Sequence, residues 1–90
     1  MSPEDIRQVQ YGRVTNLVQS LDMILKQLDQ YSEDEILETL AKIEEAIELL
    51  PINESTKLAL CDLLWNTDYG ARESMNAVMH LLSVVKILIP

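Results

Sequence analysis

The sequence contains no phenylalanine, and among its 90 residues there are only two glycines, three prolines, one cysteine and one histidine. Gly12 and Gly70 stand alone, so no glycine-rich loop is available to cradle a phosphate. The single Cys61 has no partner for an internal disulfide, and no charged leader with an apolar stretch and a small-residue cleavage site opens the chain. The expected compartment is the cytoplasm. Basic residues are scarce: seven lysines and arginines face fifteen aspartates and glutamates, a formal charge of -8. That field repels phosphate backbones, so no direct contact with nucleic acid is expected. Apolar runs are short as well. The stretch at 81–89 is interrupted by Ser83 and Lys86 and falls far below the roughly 20 residues that span a bilayer, so no membrane partner is expected. Neither a fixed-period repeat nor an alternating period-two segment occurs, which removes solenoids and strands.

What the sequence does have is helical periodicity. A hydrophobic fraction of 48% with 24% charged residues suits a folded chain, and this length supports one helical domain spanning residues 1–90. Ser2-Pro3-Glu4-Asp5 reads as a helix start, with a capping hydroxyl, a proline suited to the first turn and two acids opposing the positive helix end. Val14, Leu17, Leu21, Ile24 and Leu28 then form an apolar seam, with Val18 and Leu25 widening it. Ser32 and Glu35 have the spacing of a capping box, and Tyr31 is placed to staple against Ile36. Ile36, Leu40, Ile43, Ile47 and Leu50 carry the second seam until Pro51 removes a backbone donor.

Asn53 is the expected cap of a third helix that turns Leu60, Leu63 and Leu64 inward. The polar turn at 66–70 follows, with Thr67 or Asp68 as the expected cap of the fourth helix. That last helix carries two apolar seams and only a narrow polar stripe of Glu73, Asn76, His80 and Ser83, so it should be the most buried element. The expected fold is an all-α antiparallel four-helix bundle with helices near 3–30, 33–50, 54–66 and 69–88.

At about 1.5 Å per residue the first helix would be about 40 Å long and the others about 20–30 Å. Either its first three turns swing away at Gly12, or Ile6, Val9 and Val14 are covered by another chain. A homodimer through the first and last helices is the expectation drawn from this mismatch.

Chemistry has little to work with. His80 lacks the carboxylate three residues earlier that metal-binding helical bundles use, since that position is Ala77. Cys61 sits mid-helix among leucines beside Asp62, where its pKa should rise rather than fall. No twelve-residue window has the ligand pattern of an EF-hand. A helix-turn-helix reading of the last two helices fails because Arg72 is the only base near the start of the would-be reading helix. No catalytic residue, cofactor or metal is therefore expected. Trp65 and Tyr69 bracket the third connection, where plugging the end of the bundle is the favoured role over anchoring a partner.

One feature is unusually dense. Residues 33–50 hold seven acids, Glu33, Asp34, Glu35, Glu38, Glu44, Glu45 and Glu48, against Lys42, a net charge of -6. The first three oppose the helix dipole, and Glu38 has the spacing to pair with Lys42. Glu44, Glu45 and Glu48 lie in the half of the helix where negative charge is mildly unfavourable, and so ask for another cause. A protein partner with a basic surface is one, with Ile6 and Val9 adding apolar contact. The expectation is a small, acidic, non-catalytic interaction or regulatory module. Its alternative is an inhibitor that mimics nucleic acid and occupies the basic groove of a nucleic-acid enzyme.

Overall fold

A computed structural model describes residues 2–89 of the chain. It contains four α-helices: α1 (Pro3–Gln27), α2 (Glu33–Glu48), α3 (Glu54–Leu64) and α4 (Ala71–Leu88). A 3-10 turn, Leu28–Gln30, follows α1, and no strand occurs among the described residues. The fold is all-α, an antiparallel four-helix bundle.

Contacts between helix ends set the directions. Near its start α4 carries Arg72, whose Nη1 donates to the Leu25 carbonyl at the end of α1 at 3.2 Å. Near its finish Lys86 lies 4.9 Å from the centre of the Tyr11 ring, early in α1. The two helices are thus antiparallel. Gln10 Nε2 donates to the Pro51 carbonyl just beyond α2 at 2.7 Å, which places the end of α2 beside the start of α1. Lys57 Nζ, in the first turn of α3, donates to the Glu48 carbonyl at 2.9 Å. Around the bundle α1 packs on α4, α4 on α3 and α3 on α2, while α1 and α2 meet more loosely across a shallow groove.

Local chemistry explains most of the starts. Ser2 Oγ accepts from the Asp5 amide and the Asp5 carboxylate accepts from the Ser2 amide; Ser32 and Glu35 make the same reciprocal pair. Asn53 Oδ1 accepts from the Thr56 amide at 2.9 Å. Each cap occupies amides that have no carbonyl partner within the helix.

The core is made of Val14, Leu17, Leu21, Leu25 and Leu28 from the first helix and its 3-10 turn; Leu40, Ile43, Ile47 and Leu50 from and after α2; Leu60 and Leu64 from α3; and Met75, Val78 and Leu82 from α4. The α1 seam is rotated slightly from the expected one, with Leu25 buried and Ile24 at its margin, because α4 rather than α2 is the main partner of α1. Leu63 is likewise marginal.

Several boundaries are corrected. Helix α1 ends at Gln27, and its last carbonyls are taken up by the tighter turn, where Tyr31 N–H donates to Leu28 O at 3.1 Å. Helix α2 ends at Glu48 with Leu49 as its C-cap, just ahead of Pro51, which has no backbone N–H to continue the helix. Helix α3 ends at Leu64, with Trp65 at its C-cap in a non-helical conformation. Helix α4 begins at Ala71 with Gly70 as its N-cap, not Thr67 or Asp68. Those two belong to a separate turn, in which Asn66 Oδ1 accepts from the Asp68 amide at 2.9 Å.

Helix α1 is a continuous α-helix through Gly12, so its first turns do not swing away. Val14 is fully buried within this one chain, which removes it from the surface that a second copy was expected to cover. No helix is long and apolar enough to cross a membrane among the described residues.

Candidate functional site

Helix α2 presents its acids on two sides. Ile36, Leu40, Ile43 and Ile47 hold the helix to the core, so Glu44 and Glu48, one turn apart, fall on the flank facing α3. Trp65 Nε1 donates to Glu44 Oε2. Glu48 Oε1 lies 3.9 Å from Cys61 Sγ, and the Glu48 carbonyl receives Lys57. Glu45 is exposed on the outer side. Two of the three glutamates that ran against the helix dipole therefore have partners on the neighbouring helix, and the Lys57 ammonium supplies positive charge where the dipole is negative.

The same arrangement acts on the thiol. Partial burial raises the pKa of Cys61 above its ordinary value, and the carboxylates of Glu48, Glu44 and Asp62 raise it further. A thiol held protonated is a poor nucleophile, so Cys61 is placed to pack and not to attack. His80 is exposed on α4. No three His, Cys, Asp or Glu side chains converge as a metal site among the described residues.

Glu38 and Lys42 do not form the expected ion pair among the described residues. Lys42 instead lines the groove between α1 and α2 beside Ile24 and Tyr31. An exposed pair one turn apart contributes only about 0.3–0.5 kcal/mol, too little to draw the lysine stem off apolar surface.

A largely apolar cavity lies at the end of the bundle where α2 starts and α3 turns into α4. It has a volume of about 340 Å³ and is walled by Leu37, Leu40, Leu64, Trp65 and Tyr69, with Ser74 among its lining residues. Trp65 and Tyr69 are each 42% exposed and Leu37 is 57% exposed. The tryptophan does not plug the bundle: its indole N–H is drawn sideways to Glu44, and the ring forms a pocket wall. Glu33 is the only charged side chain in the lining.

Ile6 and Val9 remain exposed at 45% and 40%, at the opposite end of the bundle. They share that end with Ile87 and Leu88 of α4, exposed at 80% and 74%. The five residues singled out from sequence thus do not form one surface. Glu44 accepts from the Trp65 indole but does not line the pocket, Glu45 and Glu48 lie toward the other end of α2, and Ile6 and Val9 are on α1. Leu37 and Ser74 were not anticipated. Leu37 had one legible signal, as a leucine off the apolar seam of an acidic helix; Ser74 had none, because its pocket forms only when α2, α3 and α4 meet.

No protein-family model, no curated protein and no solved structure matches the chain significantly.

Proposed function

We propose that the chain is a small, acidic, cytoplasmic protein-interaction or regulatory module that works by docking and has no catalytic step. The half-exposed aromatic pair Trp65 and Tyr69, walling an apolar pocket beside the carboxylates of α2, carries this reading. Tryptophan and tyrosine dominate the energetics of protein interfaces, and of the three exposed aromatics, Tyr11, Trp65 and Tyr69, two wall this pocket. Glu45 and Glu48, exposed toward the other end of α2, add to the acidic field that attracts a basic partner, while Glu44 fixes the indole. Ile6 and Val9 provide a second apolar contact at the far end, where a second copy of the chain meets the exposed end of α4 through a two-fold axis.

The test uses a Glu44→Lys/Glu45→Lys/Glu48→Lys chain beside the wild type. A protein retained from cell extract by the immobilised wild type, and then purified, should bind the wild type and fail to bind the variant, with the far-UV circular dichroism of the two chains unchanged. Equal binding sinks the proposal. A Glu45→Lys/Glu48→Lys chain separates lost charge from a displaced Trp65.

The nucleic-acid mimic is a second reading, favoured by the exposure of Glu33, Asp34, Glu38, Glu45 and Glu48 along α2. It requires duplex DNA or RNA to displace the chain from its partner, with affinity falling steeply as salt rises.

A further inference from the structure

We infer that the pocket at the α3–α4 turn receives a basic amphipathic helix of a partner protein, which inserts one tyrosine-like side chain beside Trp65 and Tyr69. The inference rests on the interaction reading and specifies its partner. Three observations converge on it. The pocket walls are apolar and aromatic, and a volume of about 340 Å³ lies in the range of sites that take a ligand group. Ser74 is only 2% exposed yet lines this pocket.

The hydroxyls of Ser20, Thr39 and Ser83 donate to the carbonyl four residues earlier; that of Ser74 makes no such bond among the described residues. A lining that is apolar along its walls and includes one serine hydroxyl suits a side chain that is apolar along its length and polar at its tip.

Charge sets the flanks of the partner. The lining holds Glu33 and no cation, and α2 beside it adds the exposed Asp34 and Glu38. Lysine or arginine on the incoming segment meets these carboxylates, whereas an acidic segment is repelled. Geometry sets its conformation. The pocket is bounded by helices and their turn, with no sheet edge to pair with an extended peptide, so an amphipathic helix laid across the groove is the mode that fits.

Trp65 is the only tryptophan in the chain and stands in the pocket wall, so its emission reports occupancy directly. The probe is a synthetic amphipathic peptide of about 18 residues, long enough to form a helix, with lysines on its polar face and one tyrosine on its apolar face. One matched peptide carries glutamates in place of the lysines, and a second carries alanine in place of the tyrosine. The lysine peptide should shift Trp65 emission saturably, and each matched peptide should bind at least about tenfold more weakly. Leu37→Glu should abolish the response; Leu37 is exposed, so circular dichroism of this variant should match the wild type. Ser74→Ala should weaken the tyrosine peptide by about threefold and leave the alanine peptide unchanged.

No response of Trp65 to the lysine peptide, or equal affinity for the lysine and glutamate peptides, overturns the inference. Calorimetric binding that neither moves Trp65 emission nor is lost in Leu37→Glu also overturns this pocket while leaving the interaction reading in place. That reading is decided separately by whether the glutamate-to-lysine chain still binds the purified partner.

Discussion

At Ser32 two amides that lie beyond the reach of any helix carbonyl are satisfied by two side-chain oxygens, and one of those oxygens is ionisable. Glu35 N–H donates to Ser32 Oγ at 3.2 Å, and Ser32 N–H donates to Glu35 Oε1 at 3.1 Å. Accepting from the Ser32 backbone first, and from its side chain second, holds the Glu35 carboxyl below its ordinary pKa. A carboxyl whose folded pKa lies below its unfolded one stabilises the fold above the unfolded value, and that contribution disappears as pH falls through the folded value. Ser32→Ala should therefore cost about 1 kcal/mol at neutral pH by urea unfolding. Glu35→Gln keeps the acceptor but not the charge. Its stability deficit relative to the wild type should be present at neutral pH and vanish in acid; a deficit independent of pH would mean that the Glu35 charge has no part in the cap.

The helices illustrate which features can be inferred along the chain and which arise only between elements. Caps at Ser2, Ser32 and Asn53 were legible because donor and acceptor lie three residues apart. The seam of α2 was legible because a helix packed on one side repeats its apolar residues with the helical period. The Gly70 cap was hidden by a turn whose polar residues bond one another, and the link from Trp65 to Glu44 spans 21 residues. Gly12 is the instructive case. Its place between two apolar registers suggested a bend, yet the helix passes through it at negative φ, and a Cβ added there would meet nothing within 4 Å. Glycine then serves no visible conformational purpose and only enlarges the unfolded ensemble. Gly12→Ala should raise stability by about 0.5–1 kcal/mol, seen as a higher melting temperature. A lower one would mean that α1 does bend there in solution.

Across the whole molecule the two ends of the bundle differ in kind. One end holds the aromatic pocket beside the start of the acidic helix; the other exposes aliphatic side chains at the start of α1 and the end of α4 with the Lys86–Tyr11 contact between them. The length mismatch that first suggested a dimer is smaller than the sequence implied, because the antiparallel α4 covers the middle of α1 and buries Val14 without help. What remains for a second copy is Ile6, Val9, Ile87 and Leu88, which lie at one end and so are placed to meet their own symmetry mates. Aliphatic contact of this kind is insensitive to screening, whereas repulsion between two chains of charge -8 weakens as salt is added. Light scattering on a sizing column should therefore give twice 10.3 kDa, with the dimer fraction unchanged or higher at high salt. Ile6→Glu/Ile87→Glu should return the chain to a 10.3 kDa monomer while leaving the lysine peptide's effect on Trp65 intact. A wild-type chain that stays monomeric at both salts removes the dimer and leaves that end as free surface, and a double variant that loses the Trp65 response would show that the two ends are not independent.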